Sequence, residues 1–257
     1  MQNSKSWLTF LESVKAAKTK IGADKIKECF YRGHTHDNHK LLPGLFREMP
    51  NKRKQAFDFL WEAEYAMFYE FRSRAKEIHW TGLSDWDILF YMQHHGCKTR
   101  LLDWTENFGV ALYFALLGEN MEGFSPTIWL LNARALNLSY RGNSELLCPE
   151  YLDDKNKSYQ HILVNNFKFW WDVPISLYPV RRADRLTTQG GYFTIHGNDT
   201  RAIEEQIPES ERIWTRIELP LEAVPDAKDY LKMSGINDFS IFPDLDGLSR
   251  YLNKKHL

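Results

Sequence analysis

Two short polar stretches hold the residues whose types and spacing could do chemistry: Tyr31-Arg32-Gly33-His34, and the run from Gln93 to Thr105. In the first, an Arg stands beside a Gly at the end of a strand-like segment. The guanidinium offers a planar fork of donors to a phosphate or ribose. The glycine lacks a Cβ, so a planar ring can press on the backbone and hydrogen-bond to it. Alone this triplet is weakly specific, because a strand-end Arg is more often a surface ion-pair partner. The second run reads Gln93-His94-His95-Gly96-Cys97-Lys98-Thr99-Arg100-Leu101-Leu102-Asp103-Trp104-Thr105, and nine of its thirteen residues can donate or accept hydrogen bonds. It lies between two apolar helical patterns, and a plain connection has no need of so many directional groups. Two readings of Asp103 stay open: it pairs with Arg100 and holds the loop, or it acts on a substrate hydroxyl. Thr105 reads first as the N-cap of the helix that follows.

Other chemistries find little support. His94 and His95 are adjacent, so they cannot share a helix face, and no further ligand stands at a metal-binding spacing. His34, His36 and His39 sit in a loop without thiol or carboxylate partners, so no metal is expected. The chain has neither the Gly-x-Ser-x-Gly of a hydrolase nor a GxGxxG or P-loop. Its three cysteines form no CxxC, which excludes a zinc knuckle or a disulfide framework.

The elements that must position these stretches follow from pattern. The 257 residues are 43% hydrophobic and 26% charged, enough for one large domain with a sizeable core. Net charge is −1, which excludes a tight nonspecific grip on nucleic acid and leaves only transient contact. No apolar run approaches the ~20 residues of a membrane helix, and no signal core opens the chain, so a cytoplasmic protein without membrane contact is expected. Trp7, Phe10, Leu11 and Val14 predict a surface helix ending near Gly22. Lys27 to Tyr31 reads as a strand, and His34 to Pro50 as a loop. Arg53 to Ile78 reads as a long amphipathic helix. Ser84 with Asp87 forms a capping-box pattern opening a helix that Gly96 ends. A third helix runs from Thr105 to Gly118. The strands Thr127 to Leu131, Ile175 to Tyr178, Gly191 to Ile195 and Arg212 to Leu219 come late, with a helix at Tyr159 to Trp171 among them and another at Leu221 to Met233. This order is α+β.

Tyr31-Arg32-Gly33-His34, the Gln93 to Thr105 run with Ala111-Leu112-Tyr113-Phe114-Ala115, and Gln189-Gly190-Gly191-Tyr192-Phe193-Thr194 together resemble the FRG domain, a family named for its Phe/Tyr-Arg-Gly motif. The likeness spans about Phe30 to Thr194 and extends to Phe242-Pro243-Asp244-Leu245-Asp246-Gly247. The three-part layout in turn resembles the ADP-ribosyltransferase fold. That likeness implies one α+β domain over residues 1–257, with a split β-sheet core, flanking helices and helix 1–22 as an appendage.

The same resemblance implies NAD as co-substrate. Arg32 would contact its ribose or phosphate, with Tyr31 and His34 alongside, and the Gly33 backbone would meet the nicotinamide amide. Thr99 and Thr105 would be the second-motif hydroxyls, with Arg100 in the same NAD-binding set, and Gln189 would occupy the third motif. That fold usually carries Glu there to stabilise an oxocarbenium-like ribose. Gln189 offers no acid, so Asp103 is the expected substitute and joins Arg32 and Gln189 as the catalytic set, with Asp244 and Asp246 in reserve. Leu102 and Trp104 are expected to keep water from Asp103. The strand of Tyr31 and Arg32 is expected beside that of Tyr192 and Phe193, with Arg32 and Gln189 opening on one cleft.

The implied activity is that of an NAD-dependent ADP-ribosyltransferase, a toxin-type or antiviral effector restrained by an antitoxin protein. Its acceptor would be RNA or DNA, or protein. The alternative is a noncatalytic module that binds a nucleotide or a partner protein through the same cleft.

Overall fold

The computed structural model describes residues 4–24, 29–47, 53–75, 84–118, 124–149, 158–164, 169, 171–178 and 190–257. Helix α1 (Lys5–Lys20) is capped by Ser4, whose side chain accepts from the Trp7 N–H and whose hydroxyl donates to Asp226 at 2.5 Å. Its apolar stripe buries Trp7, Phe10, Val14 and Ala17. Expected to be an appendage, α1 is instead part of the core, because that stripe packs with Tyr31, Val110 and Leu231 in one cluster.

Six strands hydrogen-bond in the order β4-β5-β2-β1-β3-β6, antiparallel throughout. They are β1 (Cys29–His34), β2 (Leu101–Thr105), β3 (Thr127–Asn132), β4 (Ile175–Leu177), β5 (Gly191–Ile195) and β6 (Trp214–Glu218). Strand β1 pairs with β3 over its full length, from Cys29 opposite Asn132 to His34 opposite Thr127. Strand β2 does the same with β5, from Leu101 opposite Ile195 to Thr105 opposite Gly191. The two halves meet in a single registered pair, Tyr31 opposite Thr105. The sheet is therefore split beyond that pair, into β4-β5-β2 and β1-β3-β6.

Strand β2 was not anticipated, and it changes the neighbours of β1. The strand of Tyr192 and Phe193 does not lie beside that of Tyr31 and Arg32, because β2 is inserted between them. Four of the five residues of β2 are buried, on both faces, so its sequence lacks the alternation that marks a half-exposed strand.

Helices α2 (Gly44–Arg47), α3 (Arg53–Arg74), α4 (Asp85–His94), α5 (Phe108–Ala115), α6 (Ala133–Arg141) and α7 (Tyr159–Val164) follow in order. Then come α8 (Ile203–Gln206), α9 (Val224–Met233), α10 (Asp238–Ile241) and α11 (Leu245–His256). The Ser84 capping box forms as its spacing predicts: the Ser84 hydroxyl accepts from Asp87 N–H at 3.2 Å, and Asp87 accepts from Ser84 N–H at 2.8 Å. Gly96, at φ +83°, ends α4 as expected.

Strand parity sorts the core. Cys29, Tyr31, Ile128 and Leu130 join α1, α5 and α9 in one cluster. Leu101, Phe193 and Ile195 join α3, α4 and α7 in a second. Phe30, Leu102, Trp104, Trp129 and Tyr192 project to the opposite face and form a third with α6 and α8. One face of the sheet thus carries two separate cores, one per half.

Candidate functional site

The cleft lies over the split. Its volume is about 220 Å³, and its walls come from both halves: Tyr31, Arg32 and Gly33 of β1, Asp103, Trp104 and Thr105 of β2, and Phe193 of β5. Gln93 and His94 at the end of α4 close one side, and Val110, Ala111 and Phe114 of α5 close the other. The structure therefore brings the two polar signatures to one place, although 61 residues separate Arg32 from Gln93.

Arg32 is held rather than loose. Its Nε donates to His34 Nε2 at 2.9 Å, and its Nη1 donates to the Asp103 carbonyl at 2.6 Å, spanning the gap between the parted strands. The guanidinium has five N–H donors; these bonds use two, and the other three have no hydrogen-bond partner among the described residues. Burial lowers its pKa to about 10, with Asp103 opposing that shift and Arg47 adding to it. Arg32 still carries its charge at neutral pH.

His34 works as the anchor. Its Nε2 accepts from Arg32, and its Nδ1 lies 3.1 Å from both the His39 carbonyl oxygen and the Trp129 Nε1. Burial, then the Arg32 charge, drives its pKa down to about 2, so the ring stays neutral. The sequence places His34 among NAD-binding residues; the geometry makes it the group that orients Arg32.

Asp103 and Thr99 belong to one chain of hydrogen bonds. The Thr99 hydroxyl donates to Gln93 Oε1 at 2.6 Å, and Gln93 Nε2 donates to Asp103 Oδ2 at 2.8 Å. That oxygen lies 3.8 Å from Arg32 Nη1, while Oδ1 accepts no hydrogen bond among the described residues. One open alternative falls here and one expectation is corrected. Asp103 does not pair with Arg100, and its side chain is 58% exposed, because Leu102 and Trp104 point to the opposite face.

Arg100 leaves the NAD-binding set altogether. It is buried to 1% exposure, ion-paired to Glu64 through both carboxylate oxygens, and stacked at 4.3 Å between Trp61 and Phe169. Its Nη1 donates to the His196 and Gly197 carbonyls. This is a core ion pair, and it does not line the cleft.

Thr105 lines the cleft but does not cap α5. Asn107 does that, accepting from Gly109 and Val110, while the Thr105 hydroxyl accepts from the Asn107 N–H at 3.0 Å. Tyr31 also lines the cleft, with its phenol kept protonated by burial. Gln189 lies outside the described residues. Asp244 caps α11 by accepting from Gly247, and neither it nor Asp246 lines the cleft.

Gly33 has a reason that the sequence did not show. A Cβ there would lie 1.9 Å from the Ala111 carbonyl oxygen and 2.6 Å from the Ala115 nitrogen. The missing side chain lets α5 sit on β1, rather than opening the cleft floor to a ring. Gly33→Ala should therefore destabilise the fold by about 1–3 kcal/mol, read from urea unfolding, since overpacked backbone has to shift. A variant as stable as the parent would show that α5 is not pinned at this point.

Several lining residues were missed. Gln93 and His94 stood inside the second signature without a role, and Phe193 inside the third. Phe114 and Val110 follow the helical pattern of any core face and carry no separate signal.

Residues 27–123, a stretch that includes β1, β2 and α5, match the family model of the FRG domain. The match ends before the Gln189 to Thr194 motif. No curated protein and no solved structure matches the chain.

Proposed function

We propose that the FRG-domain cleft binds NAD and that the chain is an NAD-dependent ADP-ribosyltransferase, a cytoplasmic effector of the toxin or antiviral type whose acceptor is RNA or DNA, or protein. The observation that carries this reading is a preorganised pair in the split of an α+β sheet: an Arg32 fork with three donors, beside an Asp103 carboxylate with one oxygen, that have no hydrogen-bond partner among the described residues. A split sheet with an Arg-Gly on its first strand also fits the layout of the ADP-ribosyltransferase fold.

The residues present fit such a substrate. Phe114, Phe193 and Val110 offer apolar walls to a planar ring, and the remaining Arg32 donors suit a phosphate or ribose. Breaking the nicotinamide–ribose bond develops positive charge on the sugar. A carboxylate fixed in advance stabilises that charge without having to reorganise. The Thr99–Gln93–Asp103 chain supplies the fixing, and His34 does the same for Arg32. An antitoxin partner belongs to this reading, since an effector of this type needs restraint.

The second reading, a noncatalytic nucleotide- or protein-binding module, is favoured by the exposure of Asp103. Purified protein incubated with labelled NAD and either total RNA or cell lysate separates the two, through label transfer or its absence. In the same assay Arg32→Lys should impair NAD use almost as much as Arg32→Ala. A lysine keeps the charge but cannot span His34 and the Asp103 carbonyl at once. Near-normal transfer by Arg32→Lys would leave Arg32 as a simple counter-charge.

A further inference from the structure

A second cavity, about 520 Å³, opens on the other side of Arg32 and shares Arg32, Gly33 and Phe114 with the cleft. Its remaining walls come from the 34–47 segment and include His39, Lys40 and Arg47. No Asp or Glu among the described residues lines it. Lys40 is already paired with Glu205 across the rim. Arg47 is not neutralised: its Nε donates to the Leu42 carbonyl at 2.9 Å, and its terminal nitrogens have no partner among the described residues. Its place is set by its neighbours on α2, since Leu45 and Phe46 are buried against Leu60 and the Leu45 N–H donates to the Thr99 carbonyl.

Two guanidinium groups thus face one cavity, and none of its described lining residues is a carboxylate. Burial is the main cause that lowers the pKa of Arg32, His34 and His39, and repulsion by the Arg47 charge adds to it at each. A bound anion would turn each of these repulsions into an attraction. The chain has no basic excess to hold a long polyanion, its net charge being −1, so the arrangement suits a compact, doubly charged group.

We infer that this cavity is a phosphate-ester subsite in which Arg47 and Arg32 clamp one phosphate or diphosphate group. The diphosphate of a dinucleotide seated in the cleft and a phosphate of the acceptor share this chemistry. The proposed function supplies that choice of ligands, whereas the subsite itself stands on Arg47 and can be measured without NAD.

The test is calorimetric titration of the full chain with inorganic pyrophosphate at constant ionic strength. Binding is expected, and Arg47→Gln should weaken it about tenfold, as expected for a lost charge-assisted contact at a partly exposed site. Arg47→Lys should fall between the two. Because the Arg47 side chain is exposed, both variants should keep the parent's thermal melt; if Arg47→Gln does not, Arg47→Lys decides. Competition with NAD then separates the sources: mutual exclusion assigns the subsite to the dinucleotide's own diphosphate, and simultaneous binding assigns it to the acceptor. Parent protein that does not take up pyrophosphate, or takes it up equally after Arg47→Gln, overturns the inference. NAD binding that ignores Arg47, beside pyrophosphate binding that needs it, would likewise assign the subsite to the acceptor and spare the cleft reading. Pyrophosphate binding that needs Arg47, in a protein that never binds NAD, would uphold the subsite and end that reading.

Discussion

Asp103→Asn should leave folding and NAD binding intact and lower ADP-ribosyl transfer roughly a hundredfold, as losing one preorganised electrostatic group does. The substitution is nearly isosteric, so the Gln93 contact can persist while the charge disappears. Stability should hardly move, because the ion pair with Arg32 is long at 3.8 Å and open to solvent on the Asp103 side. The measurement is single-turnover transfer from labelled NAD alongside equilibrium NAD binding. Near-normal turnover would remove Asp103 from the chemistry. A large loss of NAD binding with unchanged transfer at saturation would make it a binding group only.

The largest stability effect is expected elsewhere. Glu64→Ala should cost about 3–5 kcal/mol in urea unfolding, because it strands the Arg100 guanidinium in the core. Both side chains are almost fully buried, at 1% and 3% exposure, and Tyr159 donates its hydroxyl to the same carboxylate. Burial works against the Arg100 charge, yet Glu64 outweighs it and the guanidinium stays protonated. Burial, then Glu64, holds the Tyr159 phenol protonated as well. Removing both charges should be milder than removing one: Glu64→Leu with Arg100→Met should recover much of the loss, since matched apolar groups leave nothing unpaired. If Glu64→Ala costs under 1 kcal/mol, water reaches Arg100 and the pair is not a core ion pair.

These two aspects separate what the sequence determined from what only the tertiary structure decided. Local pattern determined α1, the Ser84 capping box, the stop at Gly96 and the strands around Thr127 and Gly191, because capping and apolar periodicity act within a few residues. It also picked out the two polar signatures, whose density of donors no simple connection needs. It missed β2, since a strand buried on both faces shows no alternation. It missed α6 as well, although Asn132 caps that helix and Gly142 ends it, because the segment lies in a stretch read as strands.

Within one signature, Asp103 and Arg100 looked alike as candidate site residues. Arg100 stands just before β2 and Asp103 within it, and what each side chain meets depends on elements far along the chain. Arg100 therefore met Glu64 from α3, and Asp103 met Arg32 across the split. Gly33 shows the same limit. A short list of residue properties allowed it to serve a ligand ring, but the 1.9 Å left for a Cβ is set by the seating of α5, which no local pattern encodes. Residue type settled which groups were capable of chemistry, and long-range pairing settled which of them share a cavity.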